Sequence, residues 1–142
     1  MGRKEKMKRI DYFELFASLF TFKSIYDEKG NEYVLLSMSE YDSIQNIKDK
    51  VAFEALENHV HLLDRIKKVE FERLIPVAKT LGQALADRLK SQFPDKQFYI
   101  YVSLTLNDSM IIRFHQKWEN EAPYYEPGDN DGEVERLFVY ET

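Results

Sequence analysis

The sequence predicts an α+β fold in which helices pack on one face of an antiparallel sheet containing a C-terminal three-strand meander. Three observations lead there. Apolar residues recur at helical spacing over 5–20, 40–71 and 74–92, the run QFYIYVSLTL alternates with the period of a half-buried strand, and two further strand-like runs follow it. With 142 residues, 44% of them hydrophobic, the chain can bury one sizeable core, and no linker or internal repeat divides it. A single domain over 1–142 is therefore expected.

From Ile10 onward, Phe13, Phe16, Ala17 and Phe20 fall on one helical stripe, which is expected to be core. Two short apolar runs around Lys29-Gly30-Asn31 then read as a hairpin over 22–37 with Gly30 in a left-handed turn position. Whether that hairpin joins the later sheet is left open by the sequence. Ser39 followed by Asp42 resembles a capping box, and Ile44, Ile47, Val51, Leu56, Val60, Leu63 and Ile66 keep one face of a long helix apolar over 40–71. Pro76 cannot donate a backbone hydrogen bond, so a separate helix is expected over 74–92. Within it Gly82 permits a neighbour to approach closely.

The strands carry the functional reading. Phe98, Ile100, Val102, Leu104 and Leu106 alternate with Tyr99, Tyr101, Ser103 and Thr105, and the next run sets Met110, Ile112, Phe114 and Trp118 against Ile111, Arg113, His115 and Lys117. A two-residue turn at Asn107-Asp108 would mix the two faces. A three-residue turn, Asn107 to Ser109, keeps them apart and predicts Leu106 opposite Met110, Leu104 opposite Ile112, Val102 opposite Phe114 and Phe98 opposite Trp118. On the other face, expected to be exposed, Tyr101 then lies across from His115 and Ser103 from Arg113. VERLFVYE reads as the closing strand.

Several chemistries are set aside by residue type and spacing. Without cysteine there is no disulfide, thiolate zinc site or cysteine nucleophile. His59 and His61, two apart on a predicted helix, would be splayed by about 200° and could not share a metal ion. Counting back from Gly132 places Pro127 and Phe138 at essential calcium-ligand positions, so the EF-hand pattern fails. No phosphate-binding glycine motif is present, and neither a metal nor a cofactor is expected. Asp11 and Glu14 interrupt the apolar N-terminal stretch, Lys6 breaks the myristoylation pattern, and no run is long enough to span a membrane, so a cytoplasmic protein is expected.

Charge is unevenly distributed about a net -5: residues 3–9 carry five cations against Glu5, whereas residues 117–135 carry seven carboxylates against Lys117. This balance, and the lack of a glycine-aromatic RNA-binding signature, weigh against nucleic acid and favour a cationic protein partner. The candidate binding residues are Tyr99, Tyr101, Arg113, His115 and Lys117 on the polar sheet face and Glu121, Tyr124, Tyr125, Glu126, Asp129 and Asp131 in an acidic loop over 119–133, expected to be mobile. Tyrosines supply contact area and hydroxyls, and the cations supply charge-assisted hydrogen bonds. The expected function is that of a small acidic, non-catalytic binding domain, of immunity or inhibitor type. Two alternatives stand beside it: a small hydrolase or transferase using His115 with a nearby carboxylate, and an oligomer-forming structural protein, for which a homo-oligomer would be the working state.

Overall fold

The computed structural model describes residues 9–126 and 130–142, with Asn130 and Asp131 described by backbone alone. In chain order the elements are α1 (Arg9–Ser18), β1 (Phe22–Tyr26), β2 (Glu32–Leu36), α2 (Lys50–Glu57), β3 (His59–Leu63), α3 (Lys68–Gln92), β4 (Phe98–Thr105), β5 (Met110–Gln116), β6 (Asn130–Asp131) and β7 (Glu135–Glu141). The fold is α+β, as the sequence predicts. Its main sheet is antiparallel with the order β3-β5-β4-β7-β6, and β1 pairs with β2 in a separate hairpin. All three C-terminal strands share the main sheet, but β7 returns to pair with β4, so the first of them is central rather than lateral.

Strict alternation makes β4 the floor of the core. Phe98, Ile100, Val102 and Leu104 are buried on the face that meets α3, together with Met110, Ile112 and Phe114 of β5. From α3 come Phe71, Ala78, Leu85, Ala86 and Leu89. Gly82 faces the Tyr140 ring and Val102 of the sheet, where an added Cβ would overlap the ring, so the close approach expected at this glycine is present. α3 runs unbroken through Pro76, in contrast to the separate helix expected from 74. Interior proline costs about 3 kcal/mol, but an apolar stripe that continues from Phe71 to Leu89 on both sides of it offsets that cost.

The predicted 40–71 helix is corrected to a helix, a strand and the first residues of α3. Asp49 caps α2 by accepting from the Ala52 N–H at 2.9 Å, and the helix stops at Asn58 after two turns. Asn58 turns its side chain to β2, accepting from the Leu36 N–H at 2.9 Å and donating to the Val34 carbonyl at 2.8 Å. Such side-chain bonds compete with helix continuation. Val60 is then buried and Leu62 packs against the core with strand period, although Val60 and Leu63 also satisfy a helical one. The two periods coincide over a short apolar run, which is why the sequence misled.

Register is corrected as well. Leu104 pairs with Met110, Val102 with Ile112, Tyr101 with Arg113 and Tyr99 with His115, two positions from expectation. The turn is longer because it is tied from outside: Asn107, at φ 63°, donates to the Ile66 carbonyl and Asp108 accepts from the Ile66 N–H, at 2.8 and 3.0 Å. A shift of two leaves every side chain on its predicted face. α1 departs further, since Ile10, Tyr12, Phe13 and Phe16 are exposed and its contacts with the core run through Leu15 and the following Leu19 and Phe20.

β2 explains why its apolar run does not alternate. Val34 and Leu36 face the main core, while Tyr33 and Leu35 face a second cluster with Ile25, Phe53 and Trp118. Between β2 and β5 stands Glu54, fully buried. Its carboxylate accepts from the Val34 N–H (3.0 Å), the Gln116 N–H (2.8 Å), the Gln116 amide (2.7 Å) and the Trp118 indole N–H (2.7 Å). Burial pushes this carboxyl up to about 7, against the pull of its donors. Substituting Glu54→Gln places an amide N–H2 against donors that cannot accept it. A loss of at least about 3 kcal/mol in urea-denaturation stability is the expected outcome, and a near-neutral change would remove Glu54 as the joint between the sheets.

Candidate functional site

The β4–β5 face opposite α3 gathers the predicted polar residues, but they are covered rather than open to solvent. Tyr101 and His115 are 1% and 0% exposed, a correction to the exposed face that alternation alone implied. Their cover is the strap that follows β5, residues 117–126. Tyr125 sets its ring edge-on to Tyr101 with centroids 5.0 Å apart, and Tyr124 packs edge-on to Tyr125 at 4.9 Å. Arg113 places its guanidinium 4.8 Å from the Tyr124 ring centre and 5.8 Å from that of Tyr125, while donating to the Ala55 carbonyl at 3.2 Å. Cation–π contacts with this much burial are each worth about 1–2 kcal/mol.

His115 fastens the strap. Its Nδ1–H donates to the Gln116 carbonyl at 2.7 Å, and Nε2 accepts the Tyr124 N–H at 3.1 Å with the Tyr101 hydroxyl 3.0 Å away. Because a carbonyl only accepts and an amide N–H only donates, the ring is the neutral Nδ1–H tautomer. Burial lowers the His115 pKa below the ordinary histidine value, and burial likewise raises the Tyr101 hydroxyl to about 12. The imidazole lone pair is therefore spent inside the protein. Ser103, a serine on the same face whose hydroxyl a basic imidazole could in principle activate, lies four strand positions from the residue opposite His115, about 13 Å along the sheet. The geometry does not bring these two together.

The remaining predicted residues divide among three settings. Tyr99 stacks on Tyr101 at 6.1 Å and carries the Lys117 ammonium 4.7 Å above its ring, with Lys117 also bonded to Glu141 at 2.8 Å. Glu121 is half-buried and structural: it accepts from the Val51 N–H in the first turn of α2 at 2.9 Å and lies 3.6 Å from the Lys50 ammonium. Negative charge at a helix N-terminus is stabilising there. Glu126 is exposed, Asp131 of β6 pairs by backbone with Arg136 of β7, and Asp129 lies outside the described residues. The expected mobile loop is, over 119–126, a pinned strap. No sequence signal marked it, since the partners of Tyr124 and Tyr125 lie 9 to 24 positions away and emerge only once the register and the face are known.

Two features escaped the sequence reading. α1 borders a groove of ≈ 430 Å³ lined by its own Tyr12, Phe13, Leu15 and Phe16 and by Leu62, Leu63, Leu81 and Met110. And His59 and His61, on a strand rather than a helix, point to one face of the sheet. Among the described residues no helix is long and apolar enough to cross a membrane.

The latch has a pH signature whose sign follows from the depressed His115 pKa. As pH falls through the ordinary histidine value near 6.5, the unfolded chain takes up the proton first, so this contribution to stability is complete above that pH and is lost below it. Urea midpoints measured at pH 7.5 and 5.5 are expected to fall further for the wild-type chain than for His115→Gln. Equal falls would mean that the imidazole does not hold the strap.

No family model, curated protein or solved structure matches this chain, so its function is read from the geometry itself.

Proposed function

We propose that this protein is a non-catalytic binding domain whose acidic edge, built around the pinned strap, receives a cationic protein partner in the manner of an inhibitor. One observation carries the reading: the strap is held by inward-facing bonds from His115, Arg113 and Val51, while Glu119, Glu126, Glu133 and Glu135 face solvent and make no ion pair among the described residues. A surface ordered before encounter loses little conformational freedom on binding. Unneutralised carboxylates along its edge steer a cationic surface to it and raise the association rate. The spent lone pair of His115 favours this reading over the hydrolase or transferase one.

A basic partner copurified from the native source provides the test. Reversing Glu126→Lys and Glu133→Lys together is expected to slow association by roughly tenfold at low salt while leaving the melting temperature within a degree or two. Unchanged association at both low and high salt would remove the acidic edge from the function.

The exposed arc of α1 favours a second reading, self-association. Ile10, Phe13 and Phe16 are 68%, 73% and 47% exposed on consecutive turns, a contiguous apolar surface that a second copy would withdraw from water. Excluded salts such as sulfate strengthen the burial of apolar surface, so added sulfate is expected to strengthen such a contact. Light scattering should give a dimer mass at high sulfate that Phe13→Lys returns to a monomer. A monomer under all conditions would dismiss this reading.

A further inference from the structure

We propose that His59 and His61 form a two-histidine chelate for a borderline divalent transition-metal ion such as Zn²⁺ or Ni²⁺, on the open edge of the main sheet. β3 ends the strand order, so one of its sides has no neighbouring strand. His59 and His61 are two residues apart on it, and successive odd positions of a strand share a face. Their ring centroids are 5.4 Å apart. Two imidazoles bound tetrahedrally to one ion at about 2 Å have centroids about 5 Å apart, so a small rotation of the rings suffices.

The surroundings prepare the pair for a cation. His59 donates its Nδ1–H to the Leu56 carbonyl at 2.6 Å, which leaves Nε2 as the accepting nitrogen. An orienting bond of this type commonly stands behind a metal-bound imidazole, because it sets the tautomer and raises the basicity of the ligating nitrogen. Asp64 lies 3.8 Å from Nδ1 of His61 and supplies a carboxylate beside the pair. Arg113 pairs directly with His59 across the sheet, but its guanidinium is drawn away to Ala55 and the strap tyrosines. Among the described residues no group of three His, Asp or Glu is arranged to hold a metal. The site is thus a two-nitrogen one completed by water, suited to reversible binding. Imidazole nitrogen selects Zn²⁺ and Ni²⁺ over Mg²⁺, which prefers oxygen.

Calorimetric titration of the full chain with ZnCl₂, NiCl₂ and MgCl₂ at pH 7.5 tests the site. One Zn²⁺ or Ni²⁺ per chain is expected, with Mg²⁺ silent at the same concentrations. His59→Ala and His61→Ala should each weaken binding at least about tenfold. Both substitutions are on a partly or fully exposed strand edge, and circular dichroism verifies that the fold is retained. Zn²⁺ binding that survives either substitution, or equal binding of Mg²⁺, would assign the ion to surface carboxylates and overturn the proposal.

Discussion

A single buried carboxylate joins the two halves of this molecule. β2 and β5 never pair as strands, yet both present backbone N–H groups toward the space between them, and water cannot reach that space. Glu54 meets the Val34 and Gln116 amides there, while Asn58 meets Leu36 and Val34. In effect one face of a two-turn helix replaces a missing strand. An unmade hydrogen bond in such a place costs about 1–3 kcal/mol, so four donors converging on Glu54 make its position non-negotiable. Everything that β2 separates, the α3 core on one side and the Trp118 cluster on the other, is held in register by this joint.

Where the sequence was informative, one physical signal acted alone. β4 alternates without exception over eight residues because only one of its faces meets α3, and its faces were legible for that reason. Register was not legible, since the turn at Asn107 answers to Ile66, a residue far away in the chain. The predicted long helix failed at Asn58 for a related cause: the side chain that ends it is bonded to β2, 22 and 24 positions earlier. Val60 and Leu62 then supply a strand period too short to stand out from the helical one. Pro76 misled in the opposite sense, because a strong local rule yielded to packing along the whole of α3.

The candidate site shows the same division. Tyr99, Tyr101, Arg113, His115 and Lys117 were correctly gathered on one face by alternation, which needs no tertiary information. That the face is roofed could not be read, because Tyr124 and Tyr125 look in the sequence like exposed loop residues between two prolines. Their rings are worth more against Arg113 and Tyr101 than in water, so the segment closes on the sheet. His59 and His61 illustrate the cost of a wrong element: the same two residues are splayed on a helix and side by side on a strand.

The partners of Glu54 are spread widely along the chain, at Val34, Gln116 and Trp118, and this dispersion sets an order of assembly. During synthesis α1, the β1–β2 hairpin and α2 emerge before β5, and at that stage the carboxylate can meet only the Val34 amide. Most of its donors arrive some sixty residues later. Until then β2, with four consecutive apolar residues, is covered only by α2 and the segments already made, and the β4–β5 part of the core that takes Val34 and Leu36 is missing. Closure of the sheet is consequently a late, non-local event, of the kind that loop-closure entropy makes slow. The nascent N-terminal half is the stage at which this chain is most exposed to aggregation.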